Sequence, residues 1–176
     1  MVYRKNLVKK YALISVHDKS KLKYLCDNLI KNDYILIATT STAKKIKAFG
    51  FNSIEISKIT KFKEILDGRV KTLHPKIFSS ILYDRNINKH VKQFKKLNVP
   101  CIDIVVVNLY PFEKYKNSFS QNKSLDMIDI GGCSLIRASG KNYKYVTTIS
   151  DTDDYKLLIE NLKNKNGGTD ILFRKK

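Results

Sequence analysis

The run IDIVVVNL, residues 102–109, is the most apolar and β-branched stretch of the chain. A short apolar run without alternation predicts a strand that is covered on both faces, and such strands are typical of parallel sheets. YALISV at 11–16 and YILIA at 34–38 have the same character, and helical periodicity follows each of them. Strands that alternate with helices predict the α/β class, here a doubly wound, mainly parallel sheet with helices on both faces.

The remaining elements are predicted from the same two periodicities. After the first strand, Asp18 is predicted to cap a helix whose apolar stripe runs to Leu29. DMIDIGG at 126–132 predicts a turn into a later helix that ends near Lys141. The other predicted elements are short strands at 53–56, 77–83 and 145–149, a helical turn at 60–66, and helices at 43–49, 87–97 and 153–162.

Composition limits the class of protein. The 176 residues predict one domain over 1–176, and 34 basic against 16 acidic residues give a net charge of +18. Such a charge attracts anions, but the lysines are spread along the chain without an RNA-binding signature, so no nucleic-acid partner is predicted. Three widely separated cysteines predict neither disulfides nor a metal site. No apolar run reaches the roughly 20 residues that span a membrane, so a cytoplasmic location without a membrane partner is expected.

Polar clusters follow three of the predicted strands at the point where each strand ends. They are His17–Lys19, Thr39–Thr42 and Asn108–Tyr110. Because ligands of open α/β sheets bind at the carboxyl ends of the strands, these clusters predict one shared site. Four hydroxyl side chains in a row at a strand-to-helix junction are typical of an anion site, although a single one of them is as often only a helix cap.

The loop DGRVKTLHPK, residues 67–76, carries the densest polar chemistry in the chain. Asp67-Gly68 predicts a tight turn, and Arg69, Lys71 and Lys76 place three cations close together. Taken alone, such a loop is either a solvated basic turn or a cradle for an anionic substrate. Nothing in the sequence pairs His17 or His74 with a nucleophile, which disfavours a catalytic triad.

Several of these strings occur together in one known family. LISVHDKSKL, EILDGRVKTLHPKI, IDIVVVNLYPF, IDIGG and IRASGKN, in this order, resemble the inosine monophosphate cyclohydrolase domain of the bifunctional purine-biosynthesis enzyme. The resemblance runs from Tyr11 to Lys176. It implies the methylglyoxal-synthase-like fold, a three-layer α/β/α arrangement. It also implies a small purine ribonucleotide substrate, which is closed to inosine monophosphate with loss of water, and no metal or organic cofactor. The resemblance is compatible with a homodimer.

The resemblance also implies roles for particular residues of this sequence. The 5′-phosphate is expected at two turns, His17, Asp18, Lys19 and Thr39, Thr40, Ser41, Thr42. The nucleotide is expected along Arg69, Val70, Lys71 and Thr72, and the base against Val107, Asn108, Asp129 and Ile130. The residues that match those credited with chemistry are Lys71, Tyr110, Asp129 and Lys141.

The chain departs from the family pattern at several positions. Thr40-Ser41 stands where the family usually has two glycines in the phosphate turn, and Ser79-Ser80 replaces a second pair. The sequence ends at TDILFRKK, within a helix of the family, so the formyltransferase domain is expected to be absent. The last apolar residues, from Ile171 to Phe173, are therefore expected to lack cover.

Other functions compete with the cyclohydrolase. One is a nucleotide-binding regulatory module of the same fold, such as the sensing domain of carbamoyl phosphate synthetase. Methylglyoxal synthase is another, and a degenerate, inactive remnant of the cyclohydrolase is a third. The regulatory module does not require the DGRVKTLHPK and NLYPF strings, and the carboxylate-based chemistry of methylglyoxal synthase depends on a different set of Asp and His positions. Both observations favour the cyclohydrolase. A nucleic-acid-binding role rests on charge alone.

Overall fold

The computed structural model describes residues 9–110, 125 and 128–176. Element labels count the elements within these residues. The strands are β1 (Lys10–Val16), β2 (Tyr34–Ala38), β3 (Ile54–Glu55), β4 (Ile104–Asn108) and β5 (Thr147–Ile149). The helices are α1 (Leu22–Lys31), α2 (Thr40–Ala48), α3 (Ile56–Thr60), α4 (Pro75–Leu82), α5 (Asn88–Leu97), α6 (Ile130–Lys141), α7 (Tyr155–Asn164) and α8 (Ile171–Arg174), with a 3-10 turn at Leu66–Gly68.

The five strands form one sheet in the order β3-β2-β1-β4-β5, and every pair is parallel. Ala12 of β1 pairs with Ile104 of β4, and Val16 pairs with Asn108, so the two strands end side by side. β2 and β3 lie on one side of β1, and β4 lies on the other side. The chain therefore reverses its direction of winding between β1 and β4. A crevice at such a reversal is the usual ligand site of this class of sheet.

Each face of the sheet is buried under helices, as the unbroken apolar runs predicted. Alternate residues of β1 enter opposite cores, with Ala12 and Ile14 on one face and Leu13 on the other. Apolar residues of α1, α2 and α7 cover the first face, and those of α3, α4 and α6 cover the second. The doubly wound, three-layer α/β/α prediction is therefore confirmed.

One predicted strand is a helix. Residues 77–83 were expected to be extended, but Pro75–Leu82 form α4. His74 caps this helix, because its Nδ1 accepts a hydrogen bond from the backbone N–H of Lys76, and Pro75 occupies the first helical position, where its missing N–H costs nothing. Ile77 and Ile81 are four residues apart and both fully buried. An apolar run this short fits either structure, and the cap together with the spacing favours the helix.

Two smaller predictions are also wrong. The helical turn expected at 60–66 lies earlier in the chain, at Ile56–Thr60. Asp18 does not cap α1, which begins after Lys21; its carboxylate accepts instead from the backbone N–H of Ser20 at 2.8 Å. Residue 126, where the sequence predicts a turn, lies outside the described residues, as do Pro111 and Phe112.

The last residues of the chain are better covered than expected. Phe173 packs against the core of the first face, and the Arg174 guanidinium donates to the carbonyl groups of Tyr143, Lys144 and Thr169. Leu172, in contrast, is 72% exposed. The expectation of missing cover therefore holds for Leu172 and fails for Phe173. Within the described part of the chain, no helix is long and apolar enough to cross a membrane.

Candidate functional site

Asn108 joins the ends of β1 and β4. Its Oδ1 accepts from the backbone N–H groups of His17 at 2.6 Å and Asp18 at 2.8 Å, and its Nδ2 donates to the Asp18 carbonyl at 2.9 Å. The side chain is only 9% exposed. These three bonds shape the turn after β1, so His17 and Asp18 stand at the sheet edge in one conformation. The predicted contact of Asn108 with a base stays a prediction.

Lys19 lies over this turn and brings a cation to the sheet edge. Its Nζ donates to the carbonyl groups of Val16 at 3.0 Å and His17 at 3.2 Å. The pKa of Lys19 lies below its ordinary value, mainly because burial penalises the charged ammonium, and further because Lys71 and Lys45 repel it. Lys45 and Lys71 therefore both act on the Lys19 ammonium, and an anion bound beside Lys19 would relieve this repulsion.

The four hydroxyls at 39–42 divide into two pairs. Thr42 is fully buried; its hydroxyl donates to the Val16 carbonyl at 3.4 Å and accepts from Thr39 at 3.2 Å. These two hydroxyls fix α2 against β1. Ser41 is exposed and Thr40 half-buried, and the N–H groups of residues 40–42 have no acceptor among the described residues. The amino terminus of α2 is thus a set of backbone donors without acceptors among the described residues, which is the usual form of an anion site.

The loop 67–76 begins with the tight turn that the sequence predicts. The backbone of Ile65 and Val70 forms an antiparallel bridge, and Gly68 between them has φ +85°, a conformation that favours glycine. A Cβ on Gly68 would lie 3.8 Å from Lys71 Nζ and 4.0 Å from Glu64 Oε2. Glu64 also accepts from the Thr40 hydroxyl at 3.2 Å. The loop therefore reaches the amino terminus of α2, with Lys71 beside it.

Thr72 connects the same loop to the amino terminus of α6. A Cβ on Gly131 would lie 2.5 Å from Thr72 Oγ1, so only a glycine allows this approach. Thr72 is 2% exposed and its hydroxyl has no hydrogen-bond partner among the described residues, which is rare for a buried polar group. Asp129 caps α6, with Oδ1 accepting from the Gly132 N–H at 2.6 Å.

The other predicted site residues differ in how they are placed. The Tyr110 ring lies 4.4 Å from the His17 ring, centroid to centroid, at the same sheet edge. Val107 is fully buried in the core of the second face. Arg69 and Ile130 are exposed, and Val70 is half-buried.

Lys141 lies at the opposite end of α6 from Asp129. It ends α6, whereas Asp129 precedes the first residue of that helix. At about 1.5 Å of rise per residue, the two backbones are about 18 Å apart along the axis, several times the reach of a lysine side chain. Lys141 lies instead in a surface depression with Phe78, Leu82 and Arg137.

Two residues at this edge were missed from the sequence. Glu64 lies three positions before the loop, and only its contact with Thr40 reveals its place. Lys45 lies further along α2, with its Nζ 5.1 Å from the centroid of the Phe49 ring, and contributes to this edge through the effect of its charge on Lys19. No three His, Cys, Asp or Glu side chains converge as a metal site among the described residues.

The comparison with known proteins places this fold in a family. The family model for the MGS-like domain matches residues 21–134. The chain therefore belongs to the MGS-like domain family. This agrees with the parallel sheet described above.

Among individual proteins, the chain is similar to the bifunctional purine biosynthesis protein PurH. Identity is 44% over 170 residues with PurH of Clostridium beijerinckii, covering 96% of this chain and 34% of that protein. With PurH of Lactobacillus acidophilus it is 42% over 169 residues, covering 95% and 33%. The chain thus spans about a third of the length of these curated relatives. A crystal structure of ForH superimposes with a TM-score of 0.85 at 25% identity, covering 94% of this chain and 86% of that one.

Proposed function

We propose that the chain binds 5-formamidoimidazole-4-carboxamide ribonucleotide and closes it to inosine monophosphate with loss of water, the last step of de novo purine biosynthesis. The observation that carries this proposal is the contact of Thr72 with Gly131, because it joins the loop that holds Lys71 to the amino terminus of the helix that Asp129 caps. The names of the PurH relatives supply the pathway.

The phosphate end of the ligand is assigned to the amino terminus of α2. Its backbone N–H groups have no acceptor among the described residues, the cations Lys19 and Lys71 lie at the same edge, and a phosphate there gains hydrogen bonds and charge neutralisation together. The base then extends along the edge toward Tyr110 and Asp129, past the ends of β1 and β4. The unpaired Thr72 hydroxyl lies at the base end and acts as a donor or acceptor to the ligand.

The reaction moves two protons onto one oxygen. The carboxamide nitrogen attacks the formyl carbon, a C–N bond forms, the nitrogen loses a proton, and the resulting oxyanion is protonated to a hydroxyl. The formamido nitrogen then loses its proton, a C=N bond forms, and the C–O bond breaks as the hydroxyl takes up a second proton and leaves as water. In this proposal the Asp129 oxygen that does not cap the helix aligns the amide. Lys71 and Tyr110 relay protons, and the N–H groups of Ile130 and Gly131 stabilise the oxyanion.

We further propose that Lys141 acts in the site of a second copy of the chain. Its backbone lies about 18 Å from that of Asp129 along one helix, which favours a site that two chains share. A homodimer that places the end of α6 beside the partner's loop would supply the cation that the family resemblance expects. In this arrangement Lys141 protonates the departing hydroxyl.

Complementation tests the shared site. Asp129→Asn and Lys141→Ala should each be inactive alone. An equal mixture of the two variants after subunit exchange should regain about a quarter of the wild-type rate, since half the dimers are mixed and each mixed dimer keeps one intact site. A mixture that exchanges subunits and stays inactive contradicts the proposal. So does a Lys141→Ala variant with the wild-type rate.

A cyclisation assay with the formylated ribonucleotide, followed by absorbance, tests the enzyme itself. Calorimetry with inosine monophosphate and inosine should accompany it, because a phosphate site predicts much tighter binding of the nucleotide. Turnover supports the cyclohydrolase. Tight nucleotide binding without turnover supports the regulatory module instead, and equal affinities for nucleotide and nucleoside show that the phosphate does not bind at α2.

A further inference from the structure

Glu64 places a carboxylate at the amino terminus of α2 from outside that helix. The first turn of α2 holds no acidic residue of its own. Glu64 comes from an exposed segment, and its Oε2 accepts from the hydroxyl of Thr40, the first residue of the helix, at 3.2 Å. A carboxylate here is attracted by the same helix terminus that is assigned to the ligand phosphate.

We propose that Glu64 and Thr40 form a latch, in which the carboxylate competes with the 5′-phosphate and must leave when the phosphate binds. This inference rests on the proposed function, because it assumes that the phosphate binds at α2. Two anions cannot share this terminus without strong repulsion, and the phosphate is the better anion because it carries more charge and more acceptor oxygens. Glu64 therefore determines how much negative charge a ligand needs in order to bind at this helix terminus.

The structure also provides a destination for the displaced carboxylate. Glu64 Oε2 and Lys71 Nζ both lie within 4.0 Å of the position that a Cβ on Gly68 would take. The residues around Glu64, from Lys61 to Asp67, are all exposed, so no core contact resists their movement. On leaving Thr40, the carboxylate turns toward the Lys71 ammonium. Phosphate binding is thereby coupled to the surroundings of Lys71, which has a proposed catalytic role.

The latch depends on a hydroxyl at position 40. The side chains of Thr39 and Thr42 hold α2 against β1, and that of Thr40 does not. The Thr40 hydroxyl makes one hydrogen bond among the described residues, the bond to Glu64. A residue without a hydroxyl at this position would leave Glu64 unanchored. The latch is thus a property of this pair, and it is separable from the backbone donors that bind the phosphate.

Calorimetry with inosine monophosphate and inosine tests the latch on the full chain at low ionic strength. Glu64→Gln keeps an acceptor for Thr40 and removes the charge, so we expect about tenfold tighter binding of the nucleotide and no change for the nucleoside. Glu160→Gln is the matched control; this exposed side chain on α7 makes the same change in net charge and should leave both affinities unaltered. In a Thr40→Val background the effect of Glu64→Gln should fall to the level of that control.

The outcomes separate the latch from the proposed function. If wild type binds nucleotide and nucleoside equally, the phosphate site at α2 is wrong. If wild type prefers the nucleotide but Glu64→Gln binds it equally or more weakly, the site stands and the latch is wrong, and Glu64 then supports the site. An undiminished effect of Glu64→Gln in the Thr40→Val background overturns the part assigned to Thr40.

Discussion

Two glycines of α6 offer a direct measurement of the contact between the loop and the helix. Gly131 and Gly140 lie near opposite ends of the same helix. A Cβ on Gly131 would lie 2.5 Å from the buried Thr72 Oγ1, whereas a Cβ on Gly140 would meet nothing within 4 Å. Alanine at either position brings a similar gain in helix propensity, so the difference between the two variants reports the contact with Thr72.

The magnitude follows from two opposing effects. Replacing a helical glycine by alanine gains up to about 1 kcal/mol, and less near a helix end. Forcing a methyl group into a closely packed site costs about 1–3 kcal/mol. Gly140→Ala should therefore be neutral or slightly stabilising, and Gly131→Ala should be about 1–3 kcal/mol less stable than Gly140→Ala. Since Thr72 must shift to admit the methyl group, Gly131→Ala should also weaken nucleotide binding.

Urea denaturation followed by circular dichroism at 222 nm measures both free energies of unfolding. Thr72→Ala combined with Gly131→Ala provides the second step, because removing the hydroxyl makes room for the methyl group and should restore part of the lost stability. Equal stability of Gly131→Ala and Gly140→Ala would refute the close approach. A double variant no more stable than Gly131→Ala would show that the strain lies elsewhere.

Three further predictions address the chemistry, the turn after β1 and the end of the chain. Lys71→Ala should lower the rate of ring closure by about two to four orders of magnitude. Lys89→Ala, at an exposed position on α5, should leave the rate unchanged. A wild-type rate in Lys71→Ala would remove Lys71 from the mechanism. Asn108→Ala loses three hydrogen bonds and should cost about 2–4 kcal/mol by urea denaturation, and a loss below about 0.5 kcal/mol would show that the turn holds itself. The hydrogen bond from the Phe173 N–H lowers the pKa of Asp170. The ionised Asp170 carboxylate therefore stabilises the fold at pH values above the unfolded-state pKa of about 3.9, and this stabilisation is lost as the pH falls through the lower folded-state pKa. Asp170→Asn should flatten this loss of stability in acid, and an unchanged acid profile would contradict the assignment.

The fold was largely predictable because unbroken apolar runs indicate which segments are buried strands. The limits predicted for β2, Tyr34–Ala38, are those observed, and the other four strands differ by a few residues at most. The helix α4 was missed for a specific reason. Its start signals, a capping His74 and Pro75, lie inside the loop whose polar residues were assigned to a ligand. These two residues were therefore interpreted as part of a binding loop and not as the start of a helix.

The candidate site was predictable as a region and only partly as a set of contacts. The carboxyl edge of the sheet follows from topology, but the burial of Thr39 and Thr42 and the anchoring of Glu64 depend on distances that no spacing rule supplies. The separation of Lys141 from Asp129 could have been predicted. Both were placed on one helix from the sequence, and twelve residues of α-helix separate their backbones by about 18 Å.

The central strand pairing has a consequence for how this chain is made. β1 lies at the middle of the sheet, yet its partner residues Ala12 and Ile104 are 92 positions apart. During synthesis, β1 and β2 leave the ribosome long before β4 exists. The edge of β1 that pairs with β4 therefore stays open while about ninety residues are added. Pairing over such a distance is slow, and the open edge is a template for association with other nascent chains. We therefore expect the yield of native protein to depend on chaperone supply and on growth temperature more than its final stability would suggest.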